Sequence, residues 1–99
     1  MKNFRTYQLA VQFYKLSYSL SLPRHLKDQF LRASSSIPLN LAEGSAKRTS
    51  ADKRNFYTIA LGSIRECQAI LELSSNNSST LADLLDHLAA STYKLTRQT

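Results

Sequence analysis

The chain has 99 residues, of which 42% are hydrophobic and 20% charged, so it is long and apolar enough for one folded domain, residues 1–99. No apolar run exceeds three residues and the N-terminal stretch lacks a signal-peptide core, so we expect no membrane span and no secretion. A single cysteine fits a reducing cytoplasm. The net charge of +6 suits a polyanionic partner, although solubility alone also accounts for it.

The first predicted helix is apolar on two sides. An aromatic stripe at helical steps of three and four indicates one buried face. A second stripe lies about 160° around the helix and must meet either another helix of this chain or another copy of the chain. The aromatic stripe is Phe4, Tyr7, Val11, Tyr14 and Tyr18, and the second, which we name the leucine stripe, is Leu9, Phe13, Leu16 and Leu20.

Three further helices follow in the sequence. The second runs from about residue 24 to Gly44, where a glycine suits a helix end, and either Thr49 or Ser50 caps the third. The run SSNNSST, 74–80, has the composition of a loop, and a fourth helix comes after it. Four helices with short connections predict an all-α, antiparallel, up-down-up-down four-helix bundle.

Pro38 interrupts the second helix while the apolar stripe stays in phase across it. A proline inside a helix costs about 3 kcal/mol and frees the carbonyl of the residue four positions back, here Ser34. We expect a kink near Pro38, with this carbonyl satisfied by neighbouring serine hydroxyls or by the Asn40 amide. In the alternative, Ser36 caps a new helical turn that includes Pro38.

The predicted topology separates charge along the bundle. The start of helix one, the end of two, the start of three and the end of four share one end, which we name the basic pole. It combines eight bases with one acid, Asp52, for a net charge of +7. Helix dipoles do not explain Lys53 and Arg54 near an N-terminus, so the pole favours binding to the phosphate backbone of nucleic acid. Its bases are Lys2, Arg5, Lys47, Arg48, Lys53, Arg54, Lys94 and Arg97.

Two stretches resemble a known family. RASSSIPLNLAEGSAKR, 32–48, and NFYTIALGSIRECQAILEL, 55–73, are similar to the 23S ribosomal RNA intervening-sequence proteins, which include the accessory variability determinants of diversity-generating retroelements. The resemblance implies a cytoplasmic bacterial four-helix bundle that forms a homopentameric ring and, in retroelement members, binds nucleic acid and a reverse transcriptase. The matching residues are Arg32, Ser36, Pro38, Asn40, Glu43, Gly44, Gly62, Ser63 and Glu66.

A ring requires patches that meet head to tail. We expect the leucine stripe or the polar ribbon from Arg32 to Lys47 to contribute to this oligomer interface. Gly62 and Ser63, which are both small, are expected to allow close helix approach within the bundle.

The sequence contains no recognisable catalytic or metal-binding constellation. Asp83, His87 and Ser91 share one helix face, but adjacent turns are about 6 Å apart and no oxyanion donors accompany them. The two histidines and Cys67 lack zinc-ligand spacing, and the cysteine lies on an apolar stripe where a buried, inert thiol is expected. We predict a protein without enzymatic activity, metal or cofactor.

These observations predict a homo-oligomer that binds the backbone of RNA or DNA with weak sequence specificity. Tyr7, Tyr14, Tyr18 and Tyr57 lie on apolar stripes and are expected to pack in the core rather than stack on bases. The alternative function is an oligomeric adaptor whose basic pole docks an acidic partner protein.

Overall fold

The computed structural model describes residues 4–75 and 78–99, which form four α-helices and no β-strand. In this part of the chain each helix packs against its two neighbours in the cycle α1, α2, α3, α4, and the two diagonal pairs make no close backbone contact. The predicted antiparallel four-helix bundle is confirmed. The helices are α1 Arg5–Ser17, α2 Arg24–Ala46, α3 Ser50–Ser74 and α4 Ser79–Gln98.

Serine and threonine side chains determine where two helices begin. Thr49 Oγ1 accepts a hydrogen bond from the Asp52 amide at 3.1 Å, which selects Thr49 as the cap of α3. The Ser78 hydroxyl caps α4 in the same way. The predicted loop at 74–80 is therefore too long, because α3 continues to Ser74 and α4 begins at Ser79. Composition alone does not show which serine of such a run is the cap.

The core is formed by large side chains from all four helices. Phe13 of α1 and Phe30 of α2 are fully buried, and their ring centroids lie 5.8 Å apart. Leu20 is also buried, so half of the leucine stripe packs inside the chain. Leu9 is half-buried and Leu16 is 40% exposed, and the predicted oligomer interface remains a prediction for these two residues.

α2 continues through Pro38, so the alternative in which Ser36 starts a new helical turn is wrong. The groups that were expected to donate to the Ser34 carbonyl form other hydrogen bonds. The Ser34 hydroxyl donates to the Leu31 carbonyl, and the Asn40 amide donates to Ser36. Each of these bonds closes within one turn of α2, because the nearest acceptor of a short polar side chain on a helix is a carbonyl three or four residues earlier. The kink stays a prediction.

The corner between α1 and α2 is held by Lys27. Its ammonium group donates to the carbonyl oxygens of Ser17 at 3.2 Å and Tyr18 at 2.8 Å, and to that of Leu20. These three acceptors match the three donors of an ammonium group. Carbonyls near the end of a helix lack intrahelical partners, so Lys27 takes the role that a glycine cap often has.

The two glycines have opposite environments. A Cβ added to Gly44 would lie 2.6 Å from Tyr57 Cε1 and 3.2 Å from Phe56 Cβ, whereas a Cβ added to Gly62 meets nothing within 4 Å. Gly44 therefore lets α2 and α3 approach closely, and it does not end α2, which runs on to Ala46. The expectation that Gly62 allows close helix approach is wrong, because Gly62 is exposed on the outer face of α3.

Alanine substitutions at the two glycines should act in opposite directions. We expect Gly44→Ala to lower the free energy of unfolding by about 1–2 kcal/mol, because overpacking against the buried Tyr57 ring exceeds the gain in helix propensity. Gly62→Ala, the matched control, should raise it by about 0.5–1 kcal/mol. Urea denaturation measures both changes. Equal shifts in the two variants would contradict the close approach at Gly44.

Thr92 contributes a buried hydroxyl that has no hydrogen-bond partner in the described part of the chain. Valine has nearly the same shape without the polar atom, so Thr92→Val should raise the free energy of unfolding by about 1 kcal/mol. Thr58→Val on the exposed face of α3 is the control and should change it by less than about 0.5 kcal/mol. A less stable Thr92→Val variant would show that this hydroxyl is paired in solution.

Candidate nucleic-acid interface

The antiparallel packing places the four helix ends of the basic pole next to one another. Lys53 Nζ donates to the Ser45 carbonyl at 3.1 Å, which joins the start of α3 to the end of α2. Thr6 and Ser91 share a hydrogen bond between their hydroxyls, which joins the start of α1 to the last turns of α4. Seven of the eight predicted bases thus lie on helix ends that meet, and the eighth, Lys2, lies outside the described residues.

The bases of the pole differ in whether their charged groups already have a partner within the protein. Arg5, Arg48 and Lys94 are exposed and make no hydrogen bond or ion pair within the described ranges. Lys47 forms an ion pair with Glu43 at 3.4 Å, and its ammonium nitrogen lies 5.1 Å from the centroid of the Phe56 ring. Exposed ion pairs contribute little to stability, so the Lys47 charge is also accessible to a ligand.

Two of the bases bond to backbone carbonyls. Lys53 is half-buried against Ser45, whereas Arg54 is exposed and donates through Nη2 to the Thr99 carbonyl at 3.1 Å. An arginine has five N–H donors, so this bond leaves most of the Arg54 guanidinium free to contact phosphate oxygens.

The other end of the bundle is acidic. A groove of about 460 Å³ between α3 and α4 is lined by Glu72 and Asp86 together with the apolar side chains of Leu71 and Leu85. Asp86 accepts a hydrogen bond from Gln68 at 3.2 Å. The carboxylates repel phosphate at this end, so the charge distribution orients an approaching polyanion towards the basic pole.

The family-motif residues lie mainly along the contact between α2 and α3. The Ser63 hydroxyl donates to the Ser36 hydroxyl at 2.9 Å, and the Asn40 amide donates to the same Ser36 oxygen at 2.9 Å. Further along, Gln29 donates to the Glu66 carboxylate at 3.2 Å. Arg32 points to solvent. Most of the motif therefore holds the two helices in register and does not extend the basic pole.

The residues with a superficial likeness to a catalytic triad do not come together. Asp83 and His87 are exposed, and the Ser91 hydroxyl pairs with Thr6. Cys67 is buried, as predicted, and burial, with a contribution from the Glu66 carboxylate, raises the pKa of its thiol to about 12, which disfavours the reactive thiolate. Among the described residues, no group of three or more histidines, cysteines and acids is arranged to hold a metal ion.

Sequence reasoning missed an exposed aromatic side chain near the pole. Tyr93 of α4 is 51% exposed, and its hydroxyl accepts a hydrogen bond from Arg97 Nη1 at 3.2 Å. The spacing of the two residues, i and i+4, is the available signal, since it puts both on one helix face. Phe56 is a second aromatic beside a cation, but it is half-buried.

In the described residues, no helix combines the length and the apolar character that crossing a bilayer requires. The family model described as 23S rRNA-intervening sequence protein matches residues 2–99. The comparison with curated proteins found no match. The family match covers nearly the whole chain and agrees with the four-helix fold described above. The chain therefore belongs to the 23S rRNA-intervening sequence protein family.

Proposed function

We propose that this protein is a non-enzymatic, cytoplasmic homo-oligomer that binds the phosphate backbone of RNA through its basic pole. The observation that carries the proposal is the meeting of four helix ends with seven described bases, of which only Lys47 is in an ion pair within the described residues. Charges that are neither paired nor dispersed destabilise the free protein by mutual repulsion, and a polyanion removes this cost.

Phosphate contacts of this kind have a recognisable signature. Each lysine or arginine that neutralises a phosphate releases a condensed counterion, so the affinity falls steeply with salt concentration. Because backbone contacts carry no sequence information, the pole alone gives weak base selectivity. The family to which the chain belongs is described by its relation to 23S ribosomal RNA, which supports RNA as the ligand to test first.

Charge reversal at the pole should abolish RNA binding. Fluorescence anisotropy of a labelled structured RNA, titrated at several salt concentrations, compares the wild type with an Arg48→Glu, Arg54→Glu variant. Removing two contacts and adding two repulsive charges should lower the affinity by at least about tenfold and reduce the slope of log affinity against log salt by about two.

The matched control is a Lys15→Glu, Arg24→Glu variant, which has the same net charge but is altered at the opposite end of the bundle, in the last turn of α1 and the first turn of α2. It should retain most of the affinity. Equal losses in the two variants would mean that total charge, and not the pole, governs binding. If the wild type does not bind RNA at low salt, the proposal is wrong and an acidic partner protein becomes the ligand to seek.

We propose that the oligomer uses the exposed part of the leucine stripe. Leu16 is 40% exposed and borders a groove of about 190 Å³ between α1 and α4, where Ser19, Leu20 and Leu81 also lie. Exposed leucine surface beside such a groove suits a contact with a second copy.

A charge on this surface should dissociate the oligomer. We expect Leu16→Glu to lower the molar mass in light scattering to that of a smaller assembly, because an unpaired carboxylate cannot be buried in an apolar contact without a large cost. Leu73→Glu is the control, since Leu73 is 74% exposed on α3, which makes no close contact with α1. An unchanged mass for a folded Leu16→Glu variant would remove Leu16 from the interface.

A further inference from the structure

Two hydrogen bonds fix the register of the seam between α3 and α4. Gln68 of α3 donates to Asp86 of α4 at 3.2 Å, and Arg54 of α3 donates to the carbonyl of Thr99 at 3.1 Å. The residue numbers fall on one helix as they rise on the other, which is the pattern of an antiparallel pair. The seam thus runs from the acidic groove to the basic pole.

Tyr93 lies in this seam, about halfway along α4 between Asp86 and Thr99 and next to the pole residue Lys94. A step of seven residues is two turns of a helix and returns nearly to the same face. Seven residues before Gln68 on α3 is Leu61, and seven residues after Asp86 on α4 is Tyr93. Both therefore lie two turns closer to the pole than the Gln68–Asp86 pair. The exposed Tyr93 ring therefore lies across the seam from Leu61, which is half-buried.

One arginine contacts the Tyr93 ring, and two others lie along the neighbouring helix of the seam. On its own helix, Arg97 donates to the tyrosine hydroxyl at 3.2 Å, and its guanidinium carbon lies 6.0 Å from the ring centroid. On α3, Arg65 and Arg54 lie on opposite sides of Leu61, about 6 Å and about 10 Å along the helix axis. Arg65 donates through Nη1 to Gln68 at 2.9 Å, and its remaining N–H donors are available to a phosphate. All three arginines are exposed. An exposed aromatic face thus stands between cations on both sides of the seam.

We propose that Tyr93 is a stacking platform for an unpaired base of the RNA, and that Arg54, Arg65 and Arg97 bind the phosphates that flank this base. The inference rests on the proposed function and extends the binding surface from the pole along the seam to Arg65. Aromatic rings beside cationic grooves hold single-stranded nucleic acid in this way, and stacking on one ring strengthens binding by about 5- to 100-fold per base.

The geometry favours a single strand over a duplex. In an A-form duplex the base faces are stacked inside the helix, and unpaired loops and ends are where a protein ring can reach them. The Tyr93 hydroxyl already accepts the Arg97 hydrogen bond, which occupies the polar atom of the ring. The platform should therefore distinguish unpaired from paired RNA while discriminating weakly between bases.

Tryptophan fluorescence tests the contact directly, because the chain contains no tryptophan. Tyr93→Trp introduces one indole that retains the ability to stack, and the probes are a short oligoadenylate and a blunt RNA duplex of the same length. We expect oligoadenylate to quench the indole emission and the duplex to leave it unchanged. Tyr18→Trp is the control. The prediction that Tyr18 packs in the core is wrong, because Tyr18 is 60% exposed just after the C-terminal end of α1, at the end of the bundle opposite the pole. Its indole should respond to neither probe.

Anisotropy measurements with the same two probes supply an independent readout. Tyr93→Leu should weaken binding of oligoadenylate by about 5- to 100-fold, with the duplex affinity and the salt slope unchanged, since no phosphate contact is lost. Tyr93→Phe, which keeps the ring, should bind like the wild type. Thermal unfolding of each variant should match the wild type, because the side chain is half exposed.

The outcomes separate this inference from the proposed function. If Tyr93→Leu binds oligoadenylate as tightly as the wild type, or loses duplex affinity by the same factor, Tyr93 is not a stacking platform, although the pole still binds RNA. An unquenched indole in a Tyr93→Trp variant that binds oligoadenylate leads to the same conclusion. If the wild type binds neither probe, the proposed function and this inference are both wrong.

Discussion

The close approach of α2 and α3 at Gly44 is the contact on which the rest of the structure depends. A missing Cβ lets the Tyr57 ring lie directly on α2, and the rings of Phe4 and Tyr57 pack in a T-shaped arrangement with their centroids 6.3 Å apart. This cluster ties together the start of α1, the end of α2 and the start of α3. Only residues 47–49 separate α2 from α3, so the bases on both sides of that connection are held at one end of the bundle.

Gathering the bases at one end of the bundle lowers the stability of the free protein, although it suits the binding of a polyanion. The pole gathers like charges that repel one another, and the partner of Lys53 is the neutral carbonyl of Ser45, which fixes the side chain without cancelling its charge. The cost is met elsewhere, by the fully buried core around Phe13 and Phe30 and by the three hydrogen bonds of Lys27 at the opposite end. A phosphate backbone that binds as proposed would therefore meet cations that are already in position.

Periodicity and capping rules were sufficient to predict the four-helix bundle. They failed for residues whose role depends on which side chain of another helix packs against them. The apolar phase across Pro38 correctly indicated one continuous helix, yet the leucine stripe could be identified only as apolar, and not as core at Phe13 and surface at Leu16. The sequence does not distinguish the environments of Gly44 and Gly62, and only the packing shows that Tyr57 covers Gly44. The i, i+4 spacing of Tyr93 and Arg97 is visible in the sequence, but the role proposed for Tyr93 also depends on the α3–α4 register, which no local pattern encodes.

In the binding mode that we propose, the charge of the pole and stacking on Tyr93 have different roles. The pole attracts any polyanion over a distance limited by salt screening, so on its own it would hold duplex and single strand alike. In the proposed binding mode Tyr93 would add a short-range contact that requires an unpaired base, and the acidic groove around Glu72 and Asp86 would repel the strand beyond that point. In a cyclic oligomer every copy faces the same way around the symmetry axis, so each would present the same sequence of pole, ring and acidic end to the RNA. Several such sites on one strand would raise the avidity without any further contact within a single chain.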